Sequence, residues 1–202
     1  MADPAFAEKL DAWVKAGGIL LLGWRAGART PENWNVDKPL PGVFSEMAGT
    51  KVEAFESLGK GSIGIRMGMA RAKGEVWAEQ LLPYTAEVVA RYTGNRWNEG
   101  GKGSVFYAGK PAITRNQYGK GQVYYIGSSP DSVLTYMLYK KILRHAGLKP
   151  VFKGFGVEVV RRTDVEGNRY TLLLNHTGSV KHACLKKIPP YGFVWKVKKR
   201  KS

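Results

Sequence analysis

The run Ile19–Leu22, four apolar residues in succession between Gly17-Gly18 and Gly23, constrains this chain more than any other segment. A half-buried strand alternates; an unbroken apolar run of strand length suits a strand covered on both faces, as in a parallel sheet. Ahead of it, Phe6, Leu10, Trp13 and Val14 recur at helical spacing after Asp3-Pro4, a capping residue with proline in the first turn. A helix is therefore expected to end at Gly17-Gly18. Helix, double glycine and buried strand together point to an open α/β sheet.

Residues 23–42 are rich in Gly, Pro, Asn and Arg and too polar for an ordinary connection, so they are expected to form a contact-making loop. Residues 43–47 suit a helical turn and 52–58 a strand. Ile63, Ile65 and Met67 alternate, as do Val76 and Ala78, which predicts a hairpin or meander. A turn at 82–87 should precede a strand at 88–92, with 94–103 as a glycine-rich loop. Strands are expected at 105–108, 112–117 and 122–126, the last two joined at Gly119-Lys120-Gly121. Ser129-Pro130 reads as the cap of a helix carrying Val133, Leu134, Met137, Leu138, Lys141, Ile142 and His145 until Gly147. After a break at 148–156 the pattern is purely β: 157–161, 170–175, 181–185 and 193–198. Two domains follow, 1–150 and 151–202.

The chain has 202 residues, 44% of them hydrophobic and 24% charged, which are the proportions of a folded protein. No stretch approaches the roughly 20 apolar residues that cross a bilayer, and Asp3 and Glu8 sit where a signal peptide would be basic. Neither a membrane partner nor export is expected. Cys184 is the single cysteine, which excludes an internal disulfide and suits a reducing, cytoplasmic compartment. Lys and Arg outnumber Asp and Glu by 32 to 16. Much of that excess falls at Lys181, Lys186, Lys187, Lys196, Lys198, Lys199, Arg200 and Lys201, which reads as a solvated tail.

Catalytic patterns are missing. Glycoside hydrolysis needs two carboxylates flanking the bond, and the acids here, Glu46, Glu53, Glu56, Glu75, Glu79 and Glu87 among them, show no pairing in the sequence. There is no Gly-x-Ser-x-Gly elbow, and His145, His176 and His182 lack metal-ligand spacing. His145 is placed to stabilise a helix C-terminus. The glycines at 17, 18, 23 and 27 match no dinucleotide or phosphate fingerprint. No catalytic residue, cofactor or metal is expected.

Several segments resemble, in order, glycoside hydrolase family 42: Trp13-Val14-Lys15-Ala16-Gly17-Gly18, Pro41-Gly42-Val43-Phe44, and Phe106-Tyr107-Ala108-Gly109-Lys110-Pro111-Ala112-Ile113-Thr114-Arg115-Asn116-Gln117-Tyr118-Gly119-Lys120-Gly121. Gly156-Val157-Glu158-Val159-Val160-Arg161-Arg162 continues the likeness. The resemblance implies the β-galactosidase trimerisation domain over 1–150, followed by a small C-terminal β domain over 151–202 with a basic tail, without the barrel that carries the catalytic glutamates. It implies an α/β, flavodoxin-like sheet of the class I glutamine amidotransferase type, truncated at its N-terminus so that the opening strand is lacking, and then a small antiparallel β domain. Assembly is the implied role, as a trimer of itself or with a separate catalytic-barrel chain. Trp24, Arg25 and Trp34 in the loop 23–42 supply the aromatic and arginine side chains that interfaces favour. The charge leaves a second reading, a basic nucleic-acid-binding protein, expected to bind at most weakly through its tail. A stand-alone amidotransferase-like enzyme is a third. A continuous positive face on the folded part would favour the second.

Overall fold

The computed structural model describes residues 3–98, 101–102, 106–149 and 154–200. The chain divides into two compact units, Met1–Ala146 and Gly147–Ser202.

The first unit opens with α1 (Pro4–Lys15), whose first turn is fixed by Asp3: its side chain accepts a hydrogen bond from the Ala5 N–H at 2.9 Å. A cap of this kind is worth about 1 kcal/mol. Strand β1 (Ile19–Leu22) follows, then the loop 23–41, a 3-10 turn (Gly42–Phe44) and α2 (Ser45–Ala48). Next come the long strands β2 (Thr50–Met67), β3 (Ala70–Pro83) and β4 (Glu87–Asn98), the short β5 (Gly101–Lys102), β6 (Pro111–Tyr118), β7 (Gly121–Ile126), β8 (Ser128–Pro130) and α3 (Ser132–His145). The strands form one eight-stranded sheet in the order β1-β7-β6-β4-β2-β3-β8, with β5 beside β4.

Alternation along β7 sets up the two cores. Tyr124 and Ile126 enter a cluster with Ile63, Ile65, Tyr92, Ile113 and the α3 residues Leu134 and Leu138. Val123 and Tyr125 enter the other, with Ala7 and Val14 of α1, Met47 and Ala48 of α2, and Leu81. Because successive strand residues point to opposite faces, α3 covers one face of β7 and α1 with α2 cover the other. Ile19 and Leu21 pack on the first cluster, Leu20 and Leu22 on the second, so β1 is covered on both faces as its sequence predicts.

The pairing differs from the flavodoxin-like sheet expected above. Among the described residues only β1 and β7 run parallel; β2–β3, β2–β4, β4–β6, β6–β7 and β3–β8 are antiparallel. The connections explain two of these pairs: residues 68–69, between β2 and β3, and 119–120, between β6 and β7, are two-residue turns, and so short a link permits only an antiparallel neighbour. Three local expectations are also corrected. The loop at 94–103 is replaced up to Asn98 by β4, which pairs β5; part of that segment lies outside the described residues. Residues 106–109 form a turn rather than a strand. Ser129-Pro130 belongs to β8, and Asp131 caps α3 instead, its carboxylate accepting from the Leu134 N–H at 2.8 Å.

The second unit contains β9 (Val157–Thr163), β10 (Arg169–Asn175), β11 (Lys181–Ala183), β12 (Lys186–Ile188) and β13 (Phe193–Lys198). β13-β10-β9 make a three-stranded antiparallel sheet, and β11 pairs β12. A single strand over 181–185 is replaced by this hairpin, because Cys184 and Leu185 both take positive φ, the geometry of a tight two-residue turn. Its small core is Leu173, Ala183 and Ile188 with Val157, Val159 and Val194. No helix among the described residues is long and apolar enough to cross a membrane.

Candidate assembly surface

The loop after β1 is a built element. Arg29 and Asn35 form a β-bridge, the Thr30 N–H donates to the Trp34 carbonyl at 2.9 Å, and the Trp34 N–H donates to Thr30 Oγ1 at 3.3 Å. Trp34 is thereby held out at the end of the excursion, 73% exposed. At its base Gly27 lies so close to Pro41 that a Cβ there would stand 2.1 Å from the Pro41 carbonyl oxygen. Only glycine fits.

Arg25 is held from below. Its N–H donates to Glu79 Oε1 at 2.9 Å, and the other oxygen, Oε2, accepts from the Tyr125 hydroxyl at 2.8 Å. Glu79 is fully buried on β3. Burial raises its pKa, while the bonds from Tyr125 and the Arg25 N–H pull the other way; burial, followed by the Glu79 charge, drives the Tyr125 hydroxyl upward as well. The Arg25 guanidinium lies over the rings of Trp77, 4.8 Å away, and Phe55, 5.1 Å away, which stack on each other at 5.6 Å. Below Glu79 the Tyr92 hydroxyl shares its one proton between the Glu79 and Gly127 carbonyls, at 3.0 and 2.9 Å. The carboxylate thus ties β3, β7 and the loop together. With both oxygens engaged and no exposed surface, it has no access to a sugar.

Of the three residues singled out from sequence, Trp24 is half-buried beside the anchor, Arg25 is spread on Phe55 and Trp77, and Trp34 alone is freely presented. No ring or cation–π contact among the described residues joins Trp34 to the other two. Sequence reasoning missed Glu79 because it looked for carboxylate pairs. His145 does more than face a helix end: its Nδ1 lies 2.6 Å from the Tyr124 hydroxyl, and burial, then Arg115, Lys141 and Arg144, lower its pKa.

The basic tail is corrected in part. Lys196 and Lys198 lie in β13, and the Arg200 N–H donates to Asn168 Oδ1 at 3.1 Å. Across the sheet Arg161 and Lys196 flank Thr171, and Lys198 is paired with Arg169. These cations share a face of the folded unit rather than trailing from it.

The sequence profile of the β-galactosidase trimerisation domain matches residues 1–149. A β-galactosidase LacZ from Heyndrickxia coagulans is 34% identical over 178 residues, 87% of this chain and 25% of that protein. A β-galactosidase BgaA from Clostridium cellulovorans is 28% identical over 90% of this chain and 26% of its own length. The β-galactosidase structure from Bacillus circulans sp. alkalophilus superposes with a TM-score of 0.80 at 25% identity, over 99% of this chain and 32% of that one; that from Rahnella sp. R3 gives 0.82 at 23% identity over 96% and 30%. The chain spans about a quarter of the length of the curated relatives it matches. Matched over most of its length by that profile and by these relatives, the chain belongs to the β-galactosidase trimerisation-domain family of glycoside hydrolase family 42.

Proposed function

We propose that this chain is a non-catalytic assembly part of a β-galactosidase that hydrolyses terminal β-D-galactosides in cytoplasmic carbohydrate metabolism. Residues 1–150 act as the trimerisation domain and 151–202 as the C-terminal β domain; the partner is two further copies or a separate catalytic-barrel chain. The observation that carries this reading is the loop 23–42, pinned by Glu79 at Arg25 and presenting Trp34 to solvent. A rigidly held, exposed tryptophan is what association surfaces concentrate. Strand β1 adds to it as the last strand of the sheet, an edge that accepts another strand. The amidotransferase-like part of this reading is supported by the corner of α1, β1 and β7 alone, where among the described residues a helix leads into the one parallel strand pair.

Sedimentation across a concentration series tests assembly, with a trimer expected. Trp34→Ala should weaken it by about 2 kcal/mol, roughly 30-fold in Kd, with the circular dichroism of the parent retained. A parent that stays monomeric at every concentration ends the reading as a trimer of itself. The purified chain alone should release no nitrophenol from an aryl β-galactoside, since among the described residues the one fully buried carboxylate, Glu79, has both oxygens engaged and is closed to substrate. Turnover surviving removal of host β-galactosidase would contradict it. Nucleic acid remains a minor partner in this reading: the cations of β9, β10 and β13 offer charge, and assembly has the more specific surface.

A further inference from the structure

Three arginines stand in one row across the long strands of the first unit. In the pairing of β2 with β3, Arg66 is opposite Arg71, and in that of β2 with β4 it is opposite Arg91. Side chains directly opposite in an antiparallel pair share a face with Cβ atoms about 4.5–5.5 Å apart, and like charges so placed destabilise the sheet. The neighbouring positions Ile65, Ala72 and Tyr92 pack into the core, so the arginines occupy the outer face, and all three are exposed. Three other cations of this unit have compensating partners: Arg115 has Glu87, Lys15 has Asp11 and Arg25 has two rings. Among the described residues no carboxylate reaches Arg66 or Arg71, and Arg91 donates only to the Gly109 carbonyl, at 2.9 Å.

The row borders a recess. A cavity of about 370 Å³ is lined by the three arginines with Gly64, Ile65, Ala72, Tyr92, Thr93 and Gly109, and a Cβ at Gly109 would meet no atom within 4 Å. Such a volume falls in the range of small-molecule sites. We propose that this groove binds a phosphate or sulfate group, free or carried as a monoester. One carboxylate would balance one guanidinium; a group with close to two charges and three terminal oxygens offers each arginine an acceptor. Guanidinium forks match such oxygens bidentately, which point-charge ammonium groups do not. The anion also removes the repulsion within the row, so binding and folding reinforce each other.

The test is calorimetric titration of the full chain with inorganic phosphate, chloride being adjusted to hold ionic strength constant. One saturable site and a rise in melting temperature are expected. Arg66→Thr, which suits a strand, should weaken binding at least ~10-fold while leaving the phosphate-free protein as stable as the parent or more so. Arg91→Thr should act in the same direction and serves if the first variant fails to fold. Lys196→Thr/Lys198→Thr, on the other basic face, should leave affinity unchanged. Tighter binding of a hexose phosphate than of phosphate identifies the ester as the source of the group; equal binding identifies the free ion. The proposal is overturned by linear, unsaturable heats, by full binding in both arginine variants, by loss in the lysine variant, or by a hexaglutamate peptide that outcompetes phosphate, which would make the groove a seat for a partner's carboxylates.

Discussion

Replacing Glu79 by alanine should destabilise the chain by about 4 kcal/mol and release the loop above it. The side chain satisfies two buried donors, the Arg25 N–H and the Tyr125 hydroxyl. Each donor left unpaired costs about 1–3 kcal/mol, and the truncated side chain adds a cavity term. Denaturant unfolding gives the total, and hydrogen exchange at the Arg25 amide should show the largest local loss. Glu79→Gln should be much milder, because the amide oxygen accepts from Arg25 and the Tyr125 hydroxyl turns to accept from the amide NH₂. Its pH behaviour differs in sign. Burial holds the Glu79 pKa above that of the unfolded chain, so as pH rises from the ordinary carboxyl range through the raised value, the folded state keeps a proton that the unfolded state has lost. Stability falls through that window and then levels off. The parent should therefore lose stability relative to Glu79→Gln as the solution is made less acid. A parent-minus-variant difference that does not change with pH would show that the carboxyl titrates in the folded chain as it does in the unfolded one.

Gly121→Ala should detach α1. A Cβ at this first residue of β7 would stand 2.1 Å from the Val14 carbonyl oxygen and 2.2 Å from that of Gly18, backbone atoms that cannot swing aside. Those carbonyls belong to a corner in which the Gln122 N–H donates to Gly18 at 3.0 Å, the Lys120 N–H to Lys15 at 3.0 Å and the Tyr118 hydroxyl to Asp11 at 2.6 Å. One methyl group forces the helix away from the strand and uncovers Ala7 and Val14. A loss of about 3 kcal/mol is expected, at the upper end for overpacking. Exchange should accelerate at the Lys120 and Gln122 amides while the Ile63–Ile65 core keeps its protection. A variant within about 0.5 kcal/mol of the parent would mean that the corner yields without cost.

Local chemistry was legible wherever one signal acted alone. Asp3-Pro4 predicts the start of α1, the apolar run predicts β1, and Gly119-Lys120 predicts the β6–β7 turn, as found. In α3 the helical period places Leu134 and Leu138 in the core. Where a bulge intervened, reading failed. Alternation from Val76 and Ala78 puts Glu79 on the solvent side, yet Val76 has a φ of 63° and is exposed, and the pairing of β3 slips between Ser57 and Ser62 of β2 and between Glu75 and Ala78 against β8. A bulge resets which residues face inward, and Ala78, Glu79, Gln80 and Leu81 are buried in succession. The same shift hid the anchor of the candidate site. Trp34 could be found from composition, because an exposed loop residue needs no partner to be recognised. Glu79 required knowing that the Arg25 backbone arrives above it, 54 residues away in sequence.

The parallel pair also sets an order of events during synthesis. Ile19 to Leu22 pair with Gln122 to Tyr125, roughly a hundred residues further on. At ribosomal rates of about 5–20 residues per second, this apolar strand waits on the order of 5–20 s for its partner. Meanwhile β2 and β3, joined by a two-residue turn, close as soon as both emerge. The nascent chain therefore carries a finished hairpin and an unfinished corner, and Ile19 to Leu22 are the residues that a holding chaperone would grip until β7 arrives.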